Sequence, residues 1–427
     1  MVEIFPETQS LCPVCLRKIT ARKVAEGNKV YLEKDCPEHG SSRVDLWPDA
    51  AHYRWMSDFR LPLKAPRAVA ISGTDCPSSC GLCALHLRQP TLVEIEVTQR
   101  CNLRCPVCFI AAGHPSADPS LARIEEMYAA ILKQTGPQTS IQLTGGEPTV
   151  RSDLAEIVRV GGCLGFKAIE INTNGLVIAR DPDYVRELAQ AGLSGVYLQF
   201  DGLTGRVYEQ LRGADLLAEK LQAIKNCRAA GVQVVLAMTV VWGVNHRQVG
   251  RVLEFALANA DIVAGVAFQP AFTSGRFDLP AEKRLSMGDV IFLLAEQSHG
   301  LIEPYDLWPL GCSHPLCSSA TLIVEDAGVK RPLTRLITPE EYIAAFDPDS
   351  PQGSVFPDLA ARYFPDLKRG LSVVVMNYMD AQTLDLKRLK ECSMDVAMED
   401  GRMIPFCAYQ LTDCAGKRLY PTWGRHG

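Results

Sequence analysis

The chain has 427 residues, of which 47% are apolar and 22% charged, and a net charge of −5. That is length for two or three domains with a sizeable core, in the proportions of an ordinary water-soluble globular protein. The mild acidity and the lack of a Lys/Arg run argue against nucleic acid as a partner, and no stretch of about 18 or more apolar residues is available for a membrane-spanning helix. Residues Met1 to Glu7 carry neither the basic nor the apolar region of a secretory signal, so the expected location is cytoplasmic. Sixteen cysteines in a reducing compartment point to metal rather than to disulfides.

The first group is Cys12-Pro13-Val14-Cys15, followed about twenty residues later by Cys36-Pro37-Glu38-His39, two half-sites at the spacing of a tetrahedral metal knuckle. Residues 29–34 alternate as a hairpin strand does. Three thiolates and one imidazole suit zinc and iron alike. His39 is the weakest of the four and could instead cap the turn, with the fourth position filled elsewhere. A module of this size, residues 1–55, builds little core, so the metal is expected to stabilise its fold directly.

Residues 56–90 hold Cys76-Pro77-Ser78-Ser79-Cys80-Gly81-Leu82-Cys83, a C-x3-C-x2-C group in a Pro/Ser/Gly-rich setting. It is assigned to an auxiliary cluster whose fourth ligand comes from the C-terminal region. His86 reads as a surface or packing residue. The same spacing recurs in Cys101-Asn102-Leu103-Arg104-Cys105-Pro106-Val107-Cys108, directly after the apolar run 92–97. Three thiolates hold three corners of a 4Fe–4S cluster and leave one iron open to a small molecule. The alternative is a zinc knuckle whose fourth ligand lies elsewhere. His114, just beyond, reads as an ordinary loop histidine.

From residue 92 onward strand and helix alternate. Strands are expected at 92–97, 140–143, 168–172, 195–200, 232–240 and 262–268, with helices at 119–134, 153–161, 183–191, 216–230 and 248–258. Six strands with intervening helices imply a parallel sheet with right-handed crossovers, two strands short of a full barrel. Chemistry belongs at the C-terminal strand ends, which carry Gly145-Gly146-Glu147, Asn172 and Asn174, Gln199 and Asp201, and Gln269. Each of the polar side chains among them could also be a helix cap or an Asx turn. Cys163 and Cys227, alone in helical segments, read as small core residues. Beyond residue 270 the rhythm is lost, and residues 271–427 carry Cys312, Cys317, Cys392, Cys407 and Cys414.

The Cys101 triad, the strand before it and Phe109 after it resemble the radical S-adenosylmethionine (radical SAM) enzymes. The resemblance implies an α/β fold, a partial (β/α)6 TIM-like barrel with a lateral gap for substrate, flanked by the N-terminal knuckle module and a C-terminal cluster-binding region. It also implies that the open iron chelates the amine and carboxylate of SAM, whose reductive cleavage gives a 5′-deoxyadenosyl radical that abstracts hydrogen from an unreactive carbon. Thr144-Gly145-Gly146-Glu147-Pro148 looks like the family's GGEP motif, in which Gly145 and Gly146 let backbone approach the SAM amine and Glu147 neutralises it. Asn172, Asn174, Gln199, Asp201 and Gln269 would then meet the ribose and carboxylate of SAM, or the substrate.

The whole layout, from the knuckle through the two triads to Cys312-Ser313-His314-Pro315-Leu316-Cys317 and Ile404-Pro405-Phe406-Cys407-Ala408-Tyr409, resembles the archaeal tetraether synthases and their pterin-methyltransferase-like relatives. In that family it implies a mononuclear metal site, three 4Fe–4S clusters and radical coupling of two unactivated lipid-chain carbons. Cys76, Cys80, Cys83, Cys312, Cys317, Cys392, Cys407 and Cys414 are the eight thiolates left for two auxiliary clusters, with Cys414 the one that could instead be incidental.

Carbon–carbon bond formation on lipid chains is the leading expectation for function, with peripheral membrane contact a corollary. The alternative is one-carbon transfer to a pterin-like small molecule, and a multicluster electron carrier without turnover is a third. Partners are SAM, the substrate and a reductase such as ferredoxin or flavodoxin. An acyl chain would need a wide apolar groove, expected beside Phe268, Phe272, Phe277, Leu279, Ile291, Phe292, Leu293 and Leu294. A sealed polar pocket with that segment packed would favour the small molecule instead.

Overall fold

The structure, a computed structural model, describes residues 2–67, 75–113, 117–279, 283–346, 354–367 and 370–420. It opens on five antiparallel strands, β1 (Val2–Ile4), β2 (Thr8–Leu11), β3 (Lys18–Glu26), β4 (Lys29–Cys36) and β5 (Gly40–Trp47). Alternation buries one face: Val30, Leu32, Lys34 and Cys36 of β4 point inward while their neighbours are more exposed. The buried Lys34 donates from Nζ to the carbonyls of Leu11 (3.1 Å) and Ala381 (2.8 Å), tying the module to the far end of the chain. Helix α1 (Ala50–Asp58) follows, its N-cap Asp49 accepting from the backbone N–H of His52.

Next come β6 (Leu92–Thr98), β7 (Val107–Cys108), α2 (Leu121–Thr135), β8 (Ser140–Gly145), α3 (Leu154–Cys163), β9 (Ile169–Thr173), α4 (Leu176–Arg180) and α5 (Pro182–Gln190). They are followed by β10 (Gly195–Gln199), α6 (Gly205–Arg212), α7 (Leu217–Ala230), β11 (Gln233–Val240), α8 (Val249–Ala258) and β12 (Val263–Pro270). The six expected strands are all present and run parallel in the order β6-β8-β9-β10-β11-β12. The short helices α4 and α6 were not anticipated. Both faces of the sheet are buried: Val93, Ile95 and Val97 of β6 join the main core, while Glu94, Glu96 and Thr98 on the other face are equally hidden.

The lateral gap is where the structure departs from expectation. After β13 (Arg276–Phe277), α9 (Met287–Gln297), β14 (Trp308–Pro309), β15 (Ser318–Asp326), β16 (Val329–Pro332), α10 (Pro339–Ala344) and α11 (Phe356–Tyr363), the chain returns to the barrel sheet. Strand β17 (Leu371–Met376) pairs parallel with β12. After α12 (Leu386–Lys390), strand β18 (Met394–Ala397) pairs parallel with β6 at the opposite edge. Between these added strands sits an aromatic plug. The Tyr378 hydroxyl lies 3.6 Å from Met376 Sδ and 3.9 Å from Met394 Sδ. Its ring packs on Phe406 and Phe272, at centroid distances of 4.7 and 5.4 Å. The sheet therefore crosses the expected boundary at residue 270 and ends beyond β18 in β19 (Met403–Pro405), with α13 (Phe406–Tyr409) following. No helix among the described residues is long and apolar enough to cross a membrane.

Candidate active site

The C-terminal end of β6 is locked to that of β8 before the triad begins. The N–H of Gly146 donates to the carbonyl of Thr98 (2.7 Å), and that of Glu147 to the carbonyl of Arg100 (2.9 Å). Gly145 has φ +119°, and a β-carbon on it would collide with the Thr98 carbonyl oxygen; one on Gly146 would collide with that of Arg100. The two glycines are thus required by the backbone that launches the cysteine loop, a reason additional to the expected approach of SAM. Arg276 of β13 closes the loop from the other side, donating to the carbonyls of Cys105 and Ala112, both at 3.0 Å.

Cys101, Cys105 and Cys108 line a cavity of about 140 Å³ at these strand ends. Gly145, Gly146, Glu147, Asn172, Asn174, Gln199 and Gln269 line it as well. Burial pushes the Cys101 thiol up to about 12 and raises that of Cys105. Glu147 is less free than expected. Its Oε1 accepts from Thr149 and from the Thr173 hydroxyl (2.6 Å), and its Oε2 from the N–H of Asn174 (2.7 Å), so its carboxylate joins the ends of β8 and β9.

Asp201 is the one expected SAM contact that does not line the cavity. It is fully buried and holds Arg212 in a bidentate pair, Nε to Oδ2 at 2.7 Å and Nη2 to Oδ1 at 2.8 Å. The cavity-lining group is Arg212 itself, at the end of α6, which donates also to the Val107 carbonyl (2.9 Å) and lies beside Cys105. Sequence reasoning missed Arg212 because α6 was not anticipated; its only signal was a basic residue directly before Gly213, where the backbone turns left-handed. Also missed was the buried Lys220, which donates to the Asn174 carbonyl and to Gln199 Oε1 (3.1 Å) and whose pKa burial lowers to about 8. Tyr197 was missed too; its hydroxyl accepts from Gln269 Nε2 at 2.8 Å. Replacing Asp201 with Asn leaves the Arg212 charge buried without its counter-ion, for an expected loss of about 3–5 kcal/mol of stability, read as a lowered denaturation midpoint. An unchanged midpoint would show that the pair is not needed for folding.

In the N-terminal module the ligand atoms of Cys12, Cys15, Cys36 and His39 all lie within 4.8 Å of one another. Cys36 Sγ is 3.5 Å and Cys12 Sγ 3.7 Å from His39 Nδ1, and Cys15 and Cys36 Sγ are 4.0 Å apart. Ligands about 2.0–2.3 Å from a tetrahedral metal have separations of this order. The His39 hydrogen bond is the main reason why the Cys36 thiol is lowered to about 6. His39 therefore belongs to the site.

Two family models match the chain, the radical SAM superfamily over residues 95–256 and the HMPTM N-terminal zinc ribbon domain over residues 4–48. The 7,8-dihydro-6-hydroxymethylpterin dimethyltransferase of Methanocaldococcus jannaschii is 32% identical over 94% of this chain and 93% of that protein. The chain belongs to this family of radical SAM proteins. It is a radical SAM enzyme, and the family's resident groups are a 4Fe–4S cluster, SAM and the ribbon metal. The GTP 3′,8-cyclase of Peptoclostridium acidaminophilum is 31% identical over 48% of this chain and 63% of that protein. Among solved structures, Streptococcus suis SuiB bound to its precursor peptide is 15% identical with a TM-score of 0.43, over 69% of this chain and 68% of that one.

The family's cluster fits the cavity by its donor set: three cysteines at one mouth, faced by an arginine and glycine-rich backbone. The remaining cysteines fall into separate groups. Cys76 and Cys80 are hydrogen-bonded partners with Cys83 close by, and the Cys80 N–H donates to the Tyr420 hydroxyl at 2.7 Å. Cys317, Cys392 and Cys407 form a second group close enough to perturb one another. Cys312 is half-buried against Ser393 and Thr91, next in the chain to Cys392 and Leu92. Cys414 is exposed at the ribbon, its N–H donating to the Pro13 carbonyl at 2.9 Å.

His86 is buried, its ring nitrogen 2.9 Å from the Cys392 carbonyl, a packing role as expected. Cys227 is a core residue, whereas Cys163 is exposed rather than buried. His114 lies outside the described residues.

Proposed function

We propose that this enzyme transfers a one-carbon unit to a compact, pterin-like heteroaromatic substrate. The reading rests on the aromatic plug. Tyr378, Phe406 and Phe272 occupy the side on which an acyl chain would enter, and Phe272 stacks on Phe109 at 5.6 Å. The segment expected to line an apolar groove is largely packed, with Phe268, Ile291 and Leu294 fully buried. What remains is a cavity with aromatic walls and amide ends, suited to a flat ring with polar edges. The dimethyltransferase relative, matched along nearly its whole length, points the same way.

In this reading Cys101, Cys105 and Cys108 hold the cluster, and Arg212, kept in place by Asp201, faces the carboxylate of SAM. Bound together, the cluster and SAM supply a carbon radical by reductive cleavage of the C5′–S bond. Gln199, oriented by Lys220, and Gln269, oriented by Tyr197, present amides to the substrate edge, while Phe109 and Phe272 exclude water. Lipid-chain coupling is the second reading, favoured by the apolar side that Leu103, Val107 and Ile110 give the cavity.

The test is to incubate the reduced, reconstituted protein and a low-potential reductant with methyl-labelled SAM. 7,8-Dihydro-6-hydroxymethylpterin and an isoprenoid or diacyl lipid are supplied in separate reactions and followed by mass spectrometry. Labelled methyl on the pterin, given by a second SAM beside the one cleaved to methionine and 5′-deoxyadenosine, is the expected result. Coupled lipid chains without pterin methylation would overturn the proposal in favour of the second reading.

A further inference from the structure

Arg388 is a buried guanidinium whose charge is directed at a cysteine. It lies on α12, in the crossover between β17 and β18, with its side chain almost wholly inaccessible. Nη2 donates to Cys317 Sγ at 3.4 Å and to the Asn377 carbonyl at 3.2 Å, and Nε is buried without a hydrogen-bond partner. The neighbouring carboxylate, Asp385, is already committed to Lys23 (2.6 Å) and to the Thr8 hydroxyl (2.6 Å). A buried cation with no carboxylate of its own is tolerated only beside other negative charge, and deprotonated cysteines around a metal cluster provide it. Cys407 Sγ receives a second donor, the Met379 N–H at 3.3 Å.

The other two cysteine groups differ. Arg212 beside Cys105 is neutralised by its bidentate pair with Asp201, and the buried Lys220 nearby is bonded to the Asn174 carbonyl and Gln199 Oε1 rather than to a thiol. Near Cys76 the cations are Lys390, half-buried and therefore partly screened by solvent, and Lys18, which is spent on the exposed Asp75 at 2.9 Å. An electron added to a cluster increases its negative charge. An uncancelled cation and N–H···S bonds stabilise that state and raise the potential.

We propose that Arg388 lifts the reduction potential of the cluster held by Cys317, Cys392 and Cys407 above those of the other two, making it the enzyme's internal electron acceptor. When a carbon radical adds to an unsaturated ring, the adduct must lose one electron and one proton to restore the double bond. The electron passes to this cluster, reducing it by one, and the proton passes to solvent. The identity of that radical rests on the proposed function; the order of potentials does not.

The test is a potentiometric titration of the reconstituted holoenzyme followed by EPR. The highest-potential signal should be absent from Cys317→Ala and retained in Cys80→Ala. In Arg388→Gln that midpoint should fall by at least tenfold in the reduction equilibrium, 59 mV for one electron, with the other midpoints unmoved. Arg388→Lys, which keeps the charge, should stay near wild type even if the Gln variant loads its cluster poorly. An unmoved midpoint in the Gln variant, an equal fall in the Lys variant, or retention of the highest signal in Cys317→Ala would each overturn the proposal. Failure to methylate a pterin would leave these midpoints as they are, so the two proposals can fail separately.

Discussion

Replacing Cys105 with Ala should reduce SAM cleavage to undetectable levels while leaving the absorbance of the auxiliary clusters. Cys105 is buried in the loop that β6 and β13 fix, beside the paired Arg212. Two thiolates do not hold the cluster that leaves one iron open, and an alanine supplies no substitute. Cys80→Ala serves as the comparison, because Cys80 has the same spacing but lies in a loop anchored to Tyr420 away from the cavity. It should lose one cluster and retain some uncoupled cleavage of SAM, measured as 5′-deoxyadenosine by chromatography. If Cys80→Ala abolishes SAM binding and Cys105→Ala preserves it, the two triads have been assigned the wrong way round.

The second large effect is expected at a residue that touches no metal. Gly146→Ala puts a methyl group against the Arg100 carbonyl, which is backbone and cannot swing aside. Either β8 or the start of the cysteine loop must shift, and Cys101 is one residue from the collision. The fold should survive, because the β6–β8 ladder up to Thr144 is untouched. SAM affinity, measured by equilibrium binding to the reconstituted protein, should fall at least tenfold, about 1.4 kcal/mol. Wild-type affinity in the alanine variant would show that the loop tolerates the shift and that the glycines serve another purpose.

How legible each part was depended on how local its signal is. The knuckle was visible because Cys12, Cys15, Cys36 and His39 come in two adjacent pairs, and metal spacing is a short-range pattern. The barrel strands were visible because each carries its own apolar run. Strand β17 carries one too, yet nothing in Leu371–Met376 says that it joins β12, or that Met394–Ala397 joins β6, since pairing is a property of two distant segments. Asp201 was read as a ligand because a carboxylate at a strand end is ambiguous until its partner is known, and that partner sits on a helix with no motif. The apolar residues from Phe268 to Leu294 pointed equally to a groove and to a core, and only packing separates the two. Arg388, in a short helix amid charged residues, gave no signal at all.

The pairing of Val93 with Asp395 joins residues that lie far apart in the chain. During synthesis the six-strand sheet is therefore complete long before the strands that cover its edges have left the ribosome. In that interval β6 and β12 each present a row of unpaired N–H and C=O groups, the kind of edge that recruits strands from other chains. Contacts of such long sequence separation also form slowly. The same late segment carries Cys392 and Cys407, so the β6 edge of the sheet is covered and these two cysteines are delivered at the same stage of synthesis.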